Sequence, residues 1–251
     1  MSNYGEFALV YDKLTFDVDY PARCDYIEGI FARHKSVKPE LVADLACGTG
    51  SMCVELDGRG YDMIGIDISA DMLNVAAEKS EGKNILYLNQ DICDFELYGT
   101  VDAALCMLDS INHLTEDGDL DNLFALVKNY LNPDGLFVFD INTKFKFEQI
   151  LSDNIYTYET DDVFYVWENN YEDDVCDIYV NFFVKNGDSY KRIEQCHQER
   201  YYSGEYLCEL AKKYGFTVEG VYGELTFDAP KKDCQREFWV LKNNQTKDKI
   251  V

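Results

Sequence analysis

Basic residues are scarce in this 251-residue chain: 23 Lys and Arg stand against 47 Asp and Glu, a formal charge of −24. Binding to a nucleic-acid backbone runs on Lys and Arg displacing counterions, so that partner is not expected. The same deficit argues against anionic membrane surfaces and favours a chain that repels its own copies. Long apolar runs are also missing, and no stretch approaches 18 uncharged apolar residues, so no membrane span is expected. Met1 to Val10 is neither basic nor a long apolar run, and no signal peptide is expected. The nine cysteines are never spaced C-x-x-C, and they read as reduced thiols of a cytoplasmic protein, without disulfides or a zinc site. The three histidines stand far apart in the chain, and no metal is expected.

Hydrophobic residues make up 47% and aromatics 14%, enough for a buried core, so the chain is not disordered. Its length suits one domain with a sizeable insertion. From about 20 to 141, helical and strand patterns alternate, as in a parallel sheet covered by helices. Helices are expected from Tyr20 toward His34, after Gly50, over Ala70–Lys79 behind a Ser69 cap, and over 117–131. Strands are expected at Leu41–Ala46, Met63–Ile68, Ile85–Leu88, Val101–Leu108 and Leu136–Ile141, the last preceded by a turn at Asn132-Pro133-Asp134-Gly135. Residues 155–205 then alternate aromatic or β-branched groups with acids, and Asn186-Gly187 signals a hairpin. This block holds twelve acids, four bases and eight of the nineteen tyrosines, and it reads as inserted antiparallel strands. The core resumes with helix Ser203–Lys213 and strands Phe216–Tyr222 and Glu237–Lys242, and residues 243–251 read as a frayed tail. The expected core is thus 1–154 with 206–242, in which 1–34 caps the ligand and 155–205 forms a roof.

The most specific feature is Asp44-Leu45-Ala46-Cys47-Gly48-Thr49-Gly50 at the end of the first strand. Gly48 and Gly50 let backbone pass close to a ligand, and the helix N-terminus behind them offers free N–H groups. Asp67, ending strand two, can accept both hydroxyls of a ribose. The G-x-G-x-x-G dinucleotide fingerprint and the phosphate-binding P-loop are both absent.

In this order the motifs resemble those of class I S-adenosylmethionine-dependent methyltransferases. The matching residues are Asp44 to Gly50, Gly65-Ile66-Asp67-Ile68-Ser69, Asn89-Gln90-Asp91-Ile92, Asp102-Ala103-Ala104-Leu105-Cys106 and Leu131-Asn132-Pro133-Asp134-Gly135-Leu136. The resemblance is strong over roughly 35–145 and weak over the last two strands. Ala46 departs from the usual glycine, a place where small residues are accepted. The resemblance implies an α/β fold with a doubly wound, seven-stranded, mostly parallel sheet. It implies that Asp44, Ala46, Cys47, Gly48 and Gly50 contact the methionine end of S-adenosylmethionine, with S-adenosylhomocysteine as product. Asp67 would hold the ribose, Ile68 would pack on adenine, Asp91 would bond its amine with Ile92 beside it, and backbone from Cys106 to Leu108 would face the amino group.

Methyl transfer is an in-line displacement on an activated carbon, so positioning dominates and a general base is optional. Neither the Asn-Pro-Pro-Tyr type of motif nor a Pro-Cys nucleophile of base methylation is present. The nearer resemblance is to bacterial small-molecule and amine methyltransferases, among which lie glycine and sarcosine N-methyltransferases. It implies that Tyr4–Phe16, with Tyr11, folds over the cofactor while the inserted strands roof the pocket. Substrate-side candidates are Tyr11, Asp109, Asn112, His113 and Tyr201, and the catalytic candidates are Tyr11 and His113, an imidazole suited to accept a proton. The expected acceptor is a small molecule, neutral or cationic, and the protein a monomer or homodimer. The alternatives are a cofactor-binding regulatory protein without turnover, or methylation of RNA or protein through a partner.

Overall fold

Asp19 accepts the N–H of Ala22 at 2.9 Å, and Pro21 sits in the first turn, where a missing N–H is no loss. Helix α1 (Tyr20–His34) starts there and buries Cys24, Ile27, Ile30 and Phe31. The computed structural model describes residues 7, 8, 11, 12, 15, 18–35 and 37–244. Expectations for the rest of Tyr4–Phe16 and for residues 245–251 lie outside them.

Helix and strand then alternate as β1 (Leu41–Leu45), α2 (Ser51–Gly58), β2 (Asp62–Asp67), α3 (Ala70–Lys79), β3 (Leu86–Asn89) and β4 (Val101–Cys106). A 3-10 turn (Ser110–His113), α4 (Asp119–Tyr130) and β5 (Leu131–Asn142) follow. After a single π-type turn (Lys146–Leu151) come β6 (Ile155–Glu159), β7 (Val163–Glu172), β8 (Val175–Asn186) and β9 (Ser189–Arg200). The chain closes with α5 (Gly204–Lys213), β10 (Phe216–Gly223) and β11 (Arg236–Asn243).

Seven strands form the expected doubly wound sheet, in the order β10-β11-β5-β4-β1-β2-β3, with β11 antiparallel to both neighbours. Strand β1 pairs in parallel with β2 on one side and β4 on the other. The winding reverses at β1, so a crevice opens at its carboxyl end, where ligands bind in such sheets. Helices cover both faces, because alternate residues of the central strands are apolar in both directions. On β5, Phe137 and Phe139 join the cluster under α4 and α5, while Leu136 and Val138 join the one under α1 and α2. Each such fully buried side chain contributes roughly 1.5–3 kcal/mol.

Two expectations need correction. The turn at 132–135 lies inside β5: Leu131 pairs with Val101 and Leu136 with Ala103, so the residues between loop out, with Asp134 at φ +64°. Asn243 is the buried end of β11 rather than the start of a tail, and its Nδ2 donates to the Leu131 carbonyl at 2.7 Å.

The inserted strands form their own antiparallel sheet, in the order β6-β7-β8-β9. The β8–β9 hairpin closes with Asn186 opposite Ser189 and Gly187 at φ +61°, the left-handed backbone of a tight two-residue turn. One face buries Ile178, Val180, Phe182 and Ile193 around Phe147. The end of β9 is fastened to the core: Asn112 Nδ2 donates to the Arg200 carbonyl at 2.8 Å, and Arg200 Nη1 to the Thr115 carbonyl at 3.1 Å. Among the described residues no helix is long and apolar enough to cross a membrane.

Candidate active site

The loop leaving β1 must turn from strand to helix within a few residues. It does so with Ala46 at φ +59°, Gly48 at +54° and Gly50 at +71°. Gly50 has a second reason to lack a side chain, since a Cβ there would lie 2.5 Å from Tyr87 Oη. At Gly48 a Cβ would meet nothing within 4 Å, so open space lies against the loop. Asp67 ties loop to sheet: its Oδ2 accepts the Gly48 N–H and its Oδ1 the Ser69 N–H, both at 2.8 Å. Burial pushes the Asp67 pKa up, and these two N–H groups pull it back. Each oxygen keeps a further lone pair for a ligand hydroxyl. Asp44 is buried with no ion pair among the described residues, and the Cys53 thiol donates to its Oδ2 at 3.4 Å. Burial, with some help from Asp67, pushes its carboxyl up to about 7.

Two chambers meet over this loop. The larger, about 510 Å³, is bounded by Asp67, Ile68, Ser69, Met72, Asp91 and Ile92 on the core side and by Phe7, Gln195 and His197 above. The smaller, about 100 Å³, lies among Tyr20, Asp44, Cys47, Thr49, Met107 and Leu108. Tyr11, Ala46, Gly48, Ser110 and His113 line both. The larger chamber is within the ~300–1,000 Å³ of small-molecule sites. No Lys or Arg lines either chamber among the described residues, whereas Asp67, Asp91 and Asp119 line the larger. Ile68 is 70% exposed there, an apolar side chain offered to a ligand. These features fit a nucleoside cofactor of the kind the sequence implies.

The far wall is held by a buried charge network. Leu108 (φ +57°) and Asp109 (φ +54°) turn their N–H groups onto Asp140, at 2.6 and 3.1 Å. Arg236 pairs with Asp140 through Nη1 and with Asp109 through Nη2, the latter at 3.2 Å. Burial pushes the Asp109 carboxyl up, but Arg236, with Lys146 and His113, outweighs it and holds the group well below the usual range. Asn142 Nδ2 bonds both Asp109 Oδ2 at 2.8 Å and Glu199 Oε2 at 2.7 Å. Asn112 is fully buried between the Arg200 carbonyl and the Asn142 N–H.

Of the sequence candidates, the structure thus brings Tyr11, Asp44, Ala46, Cys47, Gly48, Asp67, Ile68, Asp91, Ile92, Leu108 and His113 to the chambers. Asp109 and Asn112 are not among the chamber-lining residues, because their polar atoms are engaged in the scaffold. Tyr201 lines two separate surface depressions, edge-on to Phe147. Gly50 and Cys106 stand behind the walls, Cys106 fully buried.

Sequence reasoning missed the roof residues. Gln195, His197 and Glu199 follow one another at every second position of β9 and so share a face. Gln195 Nε2 is buried on the chamber wall with no hydrogen-bond partner among the described residues. The histidines, far apart in sequence, come together: the His113 and His197 ring centroids are 5.0 Å apart. Burial, reinforced by His113, lowers the His197 pKa to about 4. Burial also keeps Tyr11 a neutral phenol, with Tyr20, Asp109, Asp12 and Asp67 adding to the effect.

A family model described as a methyltransferase domain matches residues 42–135. The chain is 30% identical to the "Putative methyltransferase YqeM" of Bacillus subtilis (strain 168), over 97% of this chain and 98% of that protein. It is 31% identical to the dTDP-3-amino-3,6-dideoxy-alpha-D-glucopyranose N,N-dimethyltransferase of Streptomyces fradiae, over about half of each chain (53% and 52%). The crystal structure of an S-adenosylmethionine-dependent methyltransferase from Clostridium acetobutylicum ATCC 824 superposes with a TM-score of 0.88 at 33% identity, covering 96% of this chain and 99% of that one.

Proposed function

The chain belongs to the class I S-adenosylmethionine-dependent methyltransferases, and from that premise we propose that it methylates the nitrogen of a small-molecule amine. When bound, the cofactor supplies a methyl carbon activated for displacement. In this reading the larger chamber receives the adenosine end, with Asp67 accepting the ribose hydroxyls, Ile68 and Ile92 against the base and Asp91 at its edge. The smaller chamber, walled by Asp44, Ala46, Cys47, Gly48 and Leu108, receives the methionine end. Gly50 and Cys106 shape these walls from behind. Tyr11 and His113, common to both chambers, flank the place of transfer, and His113 takes the proton that the amine sheds.

The observation that carries this reading is the wall chemistry. Acids and imidazoles line the chambers, and among the described residues no Lys or Arg does, a setting that admits an amine and repels an anion. The similarity to an amino-sugar N,N-dimethyltransferase supports nitrogen as the target. The free thiols suit a reducing cytoplasm.

Incubation with methyl-labelled S-adenosylmethionine and pairs of small amines, each matched with an anionic analogue, tests the reading by mass spectrometry of products. N-methylated amine is expected, formed faster than from the anionic partner. Faster turnover of the anion, or label on oxygen alone, overturns it. Asp67→Ala should weaken cofactor binding about 10- to 100-fold, since hydrogen bonds to a charged group contribute ~1.5–3 kcal/mol. Unchanged affinity by calorimetry removes Asp67 from the site.

A further inference from the structure

His113, His197 and Glu199 converge from two elements that are remote in sequence. His113 ends the 3-10 turn after β4, while His197 and Glu199 lie two apart on one face of β9. One ligand atom from each lies within 4.8 Å of the other two. Among the described residues no protein group hydrogen-bonds either imidazole, so their nitrogens are available on the chamber side. Glu199 is oriented from behind by Asn142 Nδ2 at 2.7 Å, as outer hydrogen bonds orient metal-ligating groups. The other charges nearby are already matched: Asp109 is held by Arg236 at 3.2 Å and faces Lys146 at 3.9 Å, which leaves Glu199 as the carboxylate on offer.

Two imidazoles on the chamber wall, with the buried Glu199 carboxylate within reach of both, make a donor set for a borderline divalent ion such as zinc or cobalt. Magnesium and calcium would instead require an oxygen cage. We propose that His113, His197 and Glu199 bind a divalent transition-metal ion, and that its binding inhibits methyl transfer. The inhibitory half rests on the amine reading above. An ion in this position takes up the lone pair of His113 and competes for that of the entering amine, and both must be free for nitrogen to attack.

Metal-free protein titrated with Co²⁺ tests the site without any turnover. The expected result is one ion per chain, with visible d–d absorption and no sulfur-to-metal charge-transfer band. Affinity should fall at least about tenfold, a loss of ~1.4 kcal/mol, in His113→Gln and in Glu199→Gln. His113 is exposed, so the first variant does not put folding at stake, and thermal melting checks the second. A sulfur charge-transfer band, which would place the ion on cysteines, overturns the site, as does equal affinity in folded variants or binding weaker than about millimolar. With an N-methylated amine as readout, saturating Zn²⁺ should reduce turnover more than tenfold, reversibly on chelation, and full activity in the saturated protein overturns the inhibitory half. The two readings fail separately. Cobalt binding without any amine product removes the amine reading, and amine product without cobalt binding removes the site.

Discussion

Asp44 is the residue of the site whose charge depends most on its surroundings. It is buried at the end of β1 with no ion pair among the described residues, and its carboxyl is pushed up to about 7 from an ordinary 3.8. A carboxyl raised in the folded state favours folding while it holds its proton. That contribution is complete below about 3.8 and is lost as pH rises toward 7, beyond which stability levels off. The full loss is on the order of 4 kcal/mol, from 1.36 kcal/mol per unit. Asp44→Asn has no proton to lose, so in the cofactor-free protein its stability relative to the parent should improve by about 2.5–3 kcal/mol between pH 5 and pH 8. Urea unfolding at both pH values measures this, and an unchanged difference would mean that Asp44 does not titrate in that window. At this scale the glycine loop after β1 was legible because its signals are local: glycines at left-handed positions and an acid at the end of a strand are both written in short stretches. The surroundings of Asp109 and Asn112 were not legible, for the opposite reason. An acid and an amide after a strand read alike whether they face a ligand or, as here, Arg236 and the Arg200 carbonyl.

Among the elements, β5, β11 and the turn after β4 form one unit, joined by Arg236 between Asp140 and Asp109. Arg236 is buried, so replacing it leaves Asp140 and Asp109 in the interior without their guanidinium, Asp109 with only Lys146 at 3.9 Å. Arg236→Met should cost about 3–5 kcal/mol of stability, read as a lower urea midpoint. It should also release the Leu108 and Asp109 backbone from its strained turn and so weaken cofactor binding. Arg236→Met combined with Asp140→Leu should recover part of the stability, because one of the orphaned charges is then gone. Most elements agree with the sequence to within a residue or two, since a helix or strand repeats its own period. The loop-out inside β5 was read as a turn before the strand, because Pro133 and Gly135 mark a break without showing that Leu131 is already paired with Val101.

For the whole molecule the charge of −24 acts on stability and on access. Like charges repel most at low salt, where the Debye length is about 30 Å at 0.01 M against about 8 Å at 0.15 M. Melting temperature should therefore rise by a few degrees between these NaCl concentrations, and KM for a cationic amine should rise as attraction to the chamber is screened. A flat melting temperature would show that the acids are already locally balanced. The sequence alone determined the family, because a strand, a glycine turn and a carboxylate in fixed order are written in short, local stretches. It also showed antiparallel strands inserted after β5, because alternation and Asn186-Gly187 are local signals; that they form a sheet of their own, ending at Arg200, is visible only in the structure. Only the tertiary structure decided which residues of the inserted sheet meet the turn after β4. Gln195, His197 and Glu199 reach His113 because the end of β9 is fastened to the turn after β4 through Asn112 and Arg200. Periodicity shows that a strand has two faces, but packing against a distant segment chooses what each face meets.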